Sequence, residues 1–146
     1  MKIGIACDHR GYKLKEKLKG YLEKKGYEIL DLGTNSSEMV DYSDYGIELG
    51  ERVRDKKVDF GIAICGTGIG ISIACNKVKG IRCARVTNSH DAKETRIHNN
   101  ANIIALSSKL FFFEAKDIVD KFLNTEYVPE ERFERRINKI NKYEDK

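Results

Sequence analysis

Apolar residues recur along this chain with two different periods, and the periods alternate. Short β-rich runs such as Val58-Asp59-Phe60-Gly61-Ile62-Ala63-Ile64 give way to stretches whose apolar residues return every three or four positions. The first pattern fits a strand buried on both faces of a sheet, the second a helix with one buried face. Residues 2–7, 27–32, 58–64, 81–86 and 102–106 read as strands. Leu14, Leu18 and Leu22 mark a helix over residues 12–25 that Gly26 ends, and Tyr45, Leu49 and Val53 mark a second. A polar loop over residues 33–41 separates them, and further helices are expected over residues 71–78, 89–99 and 111–123. Strand and helix in alternation imply a parallel sheet with helices on both faces. A last helix over residues 130–143 carries Phe133, Ile137 and Ile140 on one stripe, suited to packing on its own domain or on a partner.

A chain of 146 residues, 40% of them apolar, suits one domain with one core. Pro129 as the only proline and the lack of a low-complexity tract argue against a disordered or multi-domain reading. No apolar run approaches ~20 residues, so no membrane span is expected. The start, MKIGIACDHRGYKLKEK, becomes charged too soon for a secretory signal, and a cytoplasmic protein is expected. The net charge of +4 comes from 27 basic and 23 acidic residues interleaved along the chain. That balance argues against nucleic acid and is compatible with a small anionic substrate. Cys7, Cys65, Cys75 and Cys83 form no CxxC pair and no zinc-like spacing with histidine, and disulfides are not expected.

The most informative stretch is Ile64-Cys65-Gly66-Thr67-Gly68-Ile69-Gly70-Ile71-Ser72. It joins a buried strand to a helix, where parallel α/β proteins bind ligands. Glycines at alternate positions let the backbone turn sharply and aim N–H groups inward, and the helix N-terminus adds its positive dipole end. The result is an anion hole for a phosphate or an enediolate oxygen. Known anion loops do not match. A dinucleotide fingerprint needs glycine where Ile71 stands, a Walker loop needs Gly-Lys-Ser/Thr there, and a cysteine phosphatase needs arginine there. The plainer alternative is a packing turn with an inert buried thiol; against it, clustered N–H donors favour the thiolate of Cys65.

Asp8-His9 follows the first strand and so lies at the same end of the sheet, although such a pair is often only a capped turn. His98-Asn99-Asn100 closes the helix before the last strand, toward the amino ends of the strands. A helix of about ten residues is roughly 15 Å long, so a catalytic His98 would serve a neighbouring subunit's site. Otherwise it is a helix-end histidine favoured by the dipole. Arg132 and Arg136 lie four apart on the final helix and point the same way. Guanidinium pairs suit phosphate, but a solvated face paired to Glu130, Glu131 and Glu134 is the ordinary reading.

Taken together, Cys7-Asp8-His9, Asp31-Leu32-Gly33-Thr34, Val40-Asp41-Tyr42, the Cys65–Gly70 turn with Ser72-Ile73-Ala74, Asn76-Lys77, Arg96-Ile97-His98-Asn99-Asn100-Ala101-Asn102 and the Arg132/Arg136 pair resemble the type-B ribose-5-phosphate isomerases. The same family contains galactose-6-phosphate and allose-6-phosphate isomerases. The resemblance runs from residue 2 to about residue 140. It implies a three-layer α/β/α sandwich, Rossmann-like, with a five-stranded parallel sheet. It implies a homodimer with shared active sites, or a dimer of dimers, and no metal or cofactor. It implies ribose 5-phosphate and ribulose 5-phosphate as substrates, ring opening, and a cis-enediolate formed by Cys65 as base. By the same resemblance Asp8 and His9 bind the sugar, Thr67 assists proton movement, and the Gly66, Gly68, Ile69 and Gly70 amides hold the enediolate oxygen. His98 of the partner subunit opens the ring with Asn99 beside it, while Arg132, Arg136 and Lys109 contact substrate.

Several positions depart from the family pattern. Arg10 stands where a small residue is common, Ser43 replaces a proline, Phe133 a histidine, and Lys109 an arginine. Ile71 occupies the place where some relatives carry a glutamate base, which sets this chain in the cysteine branch. The rival expectations are a six-carbon sugar-phosphate isomerase, a sugar-phosphate binding module without turnover, and a redox or structural protein using its thiols.

Overall fold

The computed structural model describes residues 1–146. Five strands form one parallel sheet in the order β2-β1-β3-β5-β4: β1 (Lys2–Cys7), β2 (Glu28–Asp31), β3 (Phe60–Cys65), β4 (Cys83–Arg85) and β5 (Ile103–Ser107). Six helices accompany them: α1 (Tyr12–Lys24), α2 (Tyr42–Arg54), α3 (Ile69–Asn76), α4 (Ser89–Asn99), α5 (Phe112–Asn124) and α6 (Glu131–Glu144). The α/β class and the three-layer arrangement are as the sequence indicates. No helix is long and apolar enough to cross a membrane.

The two faces of the sheet are built differently. Ile3, Ile5, Ile62, Ile64, Ile104 and Leu106 point to one side, where they meet the leucines of α1 and Ala115, Ile118 and Phe122 of α5. Their alternates Ala6, Ala63 and Ala105 point to the other side, toward Leu49 of α2 and Ile71 and Cys75 of α3. Small residues on that face let α2 and α3 come close. Cβ atoms added at Gly46 and Gly50 would lie 2.8 Å from Ala74 and 2.8 Å from Val78. Each such position is a close approach that only glycine permits.

Boundaries shift where local conformation overrides periodicity. The third helix begins at Ile69, two residues before its apolar pattern, because Gly68 takes φ of 76° and caps it. β4 is only three residues long, since Ile81 and Arg82 run outside the ladder. On α6, Phe133 and Ile137 are buried while Ile140 remains half exposed, so the stripe packs on its own chain over most of its length.

The strand order places a topological switch between β1 and β3. From β1 the chain moves outward to β2, and from β3 it moves to the opposite side of the sheet. The loops leaving β1 and β3 therefore diverge and open a crevice at their carboxyl ends, the general ligand position in such sheets.

Candidate active site

Asp8-His9 and the Cys65–Gly70 turn leave the two strands that flank this switch. The Asp8 N–H donates to the Ile64 carbonyl at 3.2 Å, which ties the two strand ends together. Asp8 is buried, and its Oδ1 accepts from the N–H groups of Arg10 (2.9 Å) and Gly11 (3.1 Å). One oxygen thus makes the capped turn that the dipeptide suggests, while Oδ2 has no partner within the chain. His9 sets its Nδ1 3.2 Å from both the N–H and the carbonyl of Val40, which anchors the loop before α2. Arg10 lies across the glycine turn, with its Cδ 2.9 Å from where a Gly66 Cβ would sit.

The turn itself has an uneven hydrogen-bond account. Five consecutive carbonyls are each engaged: Cys65 by the Ser108 N–H (2.9 Å), Gly66 by Ser107 Oγ (2.8 Å), Thr67 by Arg85 Nε (2.8 Å), Gly68 by the Ser72 N–H (3.3 Å) and Ile69 by Ser72 Oγ (2.6 Å). Two of the N–H groups are also committed, Gly68 to Cys65 Sγ at 3.2 Å and Ile69 to Thr67 Oγ1 at 3.1 Å. The N–H groups of Gly66, Thr67, Gly70 and Ile71 have no acceptor in the chain. These are the orphan donors of a helix start, extended backward by the turn. Four free donors within one turn and helix start, next in sequence to Cys65, can receive negative charge.

The four thiols differ in setting. Burial, only partly offset by Lys15, pushes the Cys7 thiol up to about 12. The neighbouring Cys75 thiol, together with burial, holds Cys83 well above its ordinary value. Cys65 is buried too, but it alone receives a main-chain N–H from a helix-capping residue. No three His, Cys, Asp or Glu side chains converge as a metal site.

The remaining predicted residues fall into two groups. Lys109 follows β5, is exposed, and donates its N–H to Ser107 Oγ at 3.1 Å, so it stands beside the glycine turn. His98, Asn99, Arg132 and Arg136 lie at the opposite end of the sheet. The Gly61 N–H at the start of β3 donates to Asn102 at 3.0 Å, and Cys65 is four residues further along, roughly 13 Å of strand. His98 packs its ring 5.2 Å from that of Phe133 and sets Nδ1 3.1 Å from Glu94 Oε2. Arg132 lies over the same Phe133 ring at 4.6 Å and pairs with Glu130 at 3.2 Å. Arg136 is exposed and forms no ion pair. The predicted residues therefore fall at two ends of the chain's sheet, and Cys65 lines none of its surface cavities. Asn99 does line one, a cavity of about 370 Å³ between β4 and α6.

Sequence reasoning passed over Arg82, Arg85 and Ser107, and gave Arg96 and Ser72 no role beyond their place in the family's segments, although these five hold the groups in place. Arg82 donates to the carbonyls of Asn99 (2.9 Å) and Asn100 (3.0 Å), and Arg96 donates to Asn100 Oδ1 (2.8 Å) and the Ala101 carbonyl (2.7 Å). Together they fix the turn that carries His98. Arg85, Ser107 and Ser72 do the same for the glycine turn. Nothing in the spacing of Arg82, Arg85 and Ser107 distinguishes them from ordinary polar side chains.

Comparison with known proteins bears on the family. The family model described as Ribose/Galactose Isomerase matches residues 3–140. Ribose-5-phosphate isomerase B of Escherichia coli is 43% identical over 127 residues, covering 86% of this chain and 85% of that protein. The solved ribose-5-phosphate isomerase B of Clostridium thermocellum superposes with a TM-score of 0.97 at 49% identity, covering 99% of this chain and 98% of that one. The Mycoplasma genitalium ribose-5-phosphate isomerase B, solved with bound ribulose-5-phosphate, gives a TM-score of 0.93 at 39% identity over 99% of this chain and 97% of that one. On these matches over nearly its whole length, the chain belongs to the ribose/galactose isomerase family.

Proposed function

We propose that this chain interconverts ribose 5-phosphate and ribulose 5-phosphate as a homodimer in which each site takes residues from both subunits. The observation that carries the reading is the glycine turn at the β1/β3 switch, where Cys65 Sγ accepts the Gly68 N–H and four further N–H groups of the same turn and helix start are unpaired. A proton-transfer isomerase needs a base beside a carbon and a stabiliser for the oxyanion that forms when the proton leaves.

On the opened aldose, the Cys65 thiolate takes the proton from C2. The electron pair of that C–H bond moves into a C1–C2 double bond, and the former carbonyl oxygen at C1 becomes the enediolate oxygen. Of the amides expected to hold that oxygen, those of Gly68 and Ile69 are committed to Cys65 Sγ and Thr67 Oγ1, so the free N–H groups of Gly66 and Gly70, with those of Thr67 and Ile71, receive the charge, each such donor being worth roughly 3 kcal/mol in a transition state. The O2 hydroxyl proton is relayed to O1 by way of Thr67, whose hydroxyl stands exposed at the turn. The same thiol then returns its proton to C1, leaving the ketose. Net charge and atoms are unchanged. Asp8 Oδ2 and His9 hold the sugar hydroxyls on one side. The partner's His98, with the partner's Asn99, completes the site and opens the ring; the partner's Arg132 and the partner's Arg136 hold the phosphate, with Lys109 contributing from the first subunit.

Association is supported by the exposed apolar stripe of Ile69 and Ile73, which are 48% and 56% exposed on α3 and start at the turn itself. The test is an isomerase assay with five- and six-carbon sugar phosphates side by side, chelator present. Turnover of the five-carbon pair is expected, and Cys65→Ala should lower it by about 10²–10⁴-fold, the usual worth of a positioned base. Near wild-type turnover by that variant would falsify the cysteine mechanism, and preference for a six-carbon substrate would move the assignment to that branch of the family.

A further inference from the structure

We infer that Arg85 is a positioning residue for the glycine turn: by holding the Thr67 carbonyl it keeps the Gly68 N–H, in the same peptide unit, directed at Cys65 Sγ. This rests on the isomerase reading of the same turn. Arg85 is the last residue of β4, the edge strand of the sheet, and lies in register with Ala105 of β5. Residues two apart on a strand share a face. Cys83, two residues earlier, packs into the α2/α3 layer, so the Arg85 side chain emerges on that layer too, beside the small Ala105. Its Nε then reaches the Thr67 carbonyl at 2.8 Å.

The geometry of the peptide gives this contact its consequence. Carbonyl and N–H of a peptide unit point in opposite directions, so anchoring the carbonyl of Thr67 fixes the direction of the Gly68 N–H in the same plane. That N–H is the one that donates to Cys65 Sγ at 3.2 Å. Ser107 anchors the carbonyl of Gly66 in the same way, and so orients the free N–H of Thr67. The left-handed Gly68 at φ 76° has no side chain to restrain the loop, so external tethers must supply the order. Arg85 is the only charged one. Its two terminal nitrogens donate to nothing in the chain, and its positive charge adds to the potential over the donors. The guanidinium anchors the turn without touching the reacting carbons.

Arg85→Met keeps the length of the stem and removes the donor; Arg85→Lys offers an N–H donor again. Steady-state kinetics on the five-carbon substrate should show kcat reduced about 10- to 100-fold for Arg85→Met, the range expected for a small displacement of reacting groups. KM should change less than about threefold, because a group that acts only in the transition state leaves ground-state binding intact. Arg85→Lys should recover most of the loss. Peptide-mapped alkylation of Cys65 by iodoacetamide at fixed pH should slow in Arg85→Met and recover in Arg85→Lys, which reads the turn without reference to any substrate. Ser107→Ala, which removes the tether next in the turn, should move kcat and alkylation in the same direction and covers the case in which Arg85→Met fails to fold. Unchanged kcat and unchanged Cys65 alkylation in both folded variants would overturn the inference. A raised KM at constant kcat would overturn it as well, by making Arg85 a substrate contact. If the unaltered protein turns over no sugar phosphate, the isomerase reading fails, and the alkylation rates alone decide whether Arg85 orders the turn.

Discussion

Lys15 is fully buried yet carries a charge, and its environment explains how. Its Nζ contacts both oxygens of Asp31 at 2.7 Å, Glu16 at 3.0 Å and Asn35 Oδ1 at 3.2 Å. Burial works against the charge, but hydrogen bonds to Asp31 and Glu16 outweigh it and raise the Lys15 pKa. For Asp31, burial again opposes ionisation, and the bonds from Lys15, the Gly33 N–H and Lys19 prevail and lower its pKa. The signs fix the pH window. The depressed Asp31 adds stability above the ordinary carboxylate range near pH 4, which is lost as pH falls through its folded value. The raised Lys15 adds stability below about pH 10.4, lost as pH rises through its own folded value. Removing one partner of a buried pair costs about 3–5 kcal/mol. Asp31→Asn should therefore unfold at lower denaturant at pH 7 and lose the acid-side slope from this pair; equal midpoints for both proteins at pH 7 would refute it. Asp31 and Lys15 are ordinary charges in the sequence, since their pairing spans a helix and a strand. Cys65 was legible because strand, glycines and helix are contiguous around it.

At the scale of elements, the periodicities carry most of the fold because helix and strand each expose their burial pattern locally. Every strand and helix lies where the alternation places it, with ends displaced by turn conformations such as Gly68. What the periodicities do not show is how closely elements approach. Gly46 and Gly50 sit inside α2, where alanine ordinarily helps by about 1 kcal/mol. Here an added methyl at Gly46 meets Ala74 Cβ at 2.8 Å and the Ile71 carbonyl at 3.1 Å. Gly46→Ala is thus expected to destabilise by about 1–3 kcal/mol, as overpacking does. Because α3 carries the turn's first helical residues, kcat should fall along with the melting temperature. A melt at or above that of the unaltered protein contradicts the close approach.

For the whole molecule, the separation of the two groups of predicted residues has a direct test. Cys65→Ala and His98→Ala should each be inactive alone. Unfolded together and refolded, they are expected, on the proposed shared-site homodimer, to give mixed dimers in which one site pairs an intact Cys65 with an intact His98 from the other chain. With random pairing about a quarter of normal activity should return, because half the dimers are mixed and each has one good site of two. No recovery, with mixed dimers shown by mass, would mean that the sites are not shared.

The sequence by itself determined the parallel α/β architecture and the position of the glycine turn after β3, because both are written in short windows where period, glycine spacing and helix start coincide. Only the tertiary structure decided which strand ends face each other at the β1/β3 switch, that Arg85 and Ser107 anchor the turn, and that His98 packs on Phe133 of α6. Those relations join residues dozens of positions apart through sheet order and layer packing, and no local pattern encodes a distance across a fold.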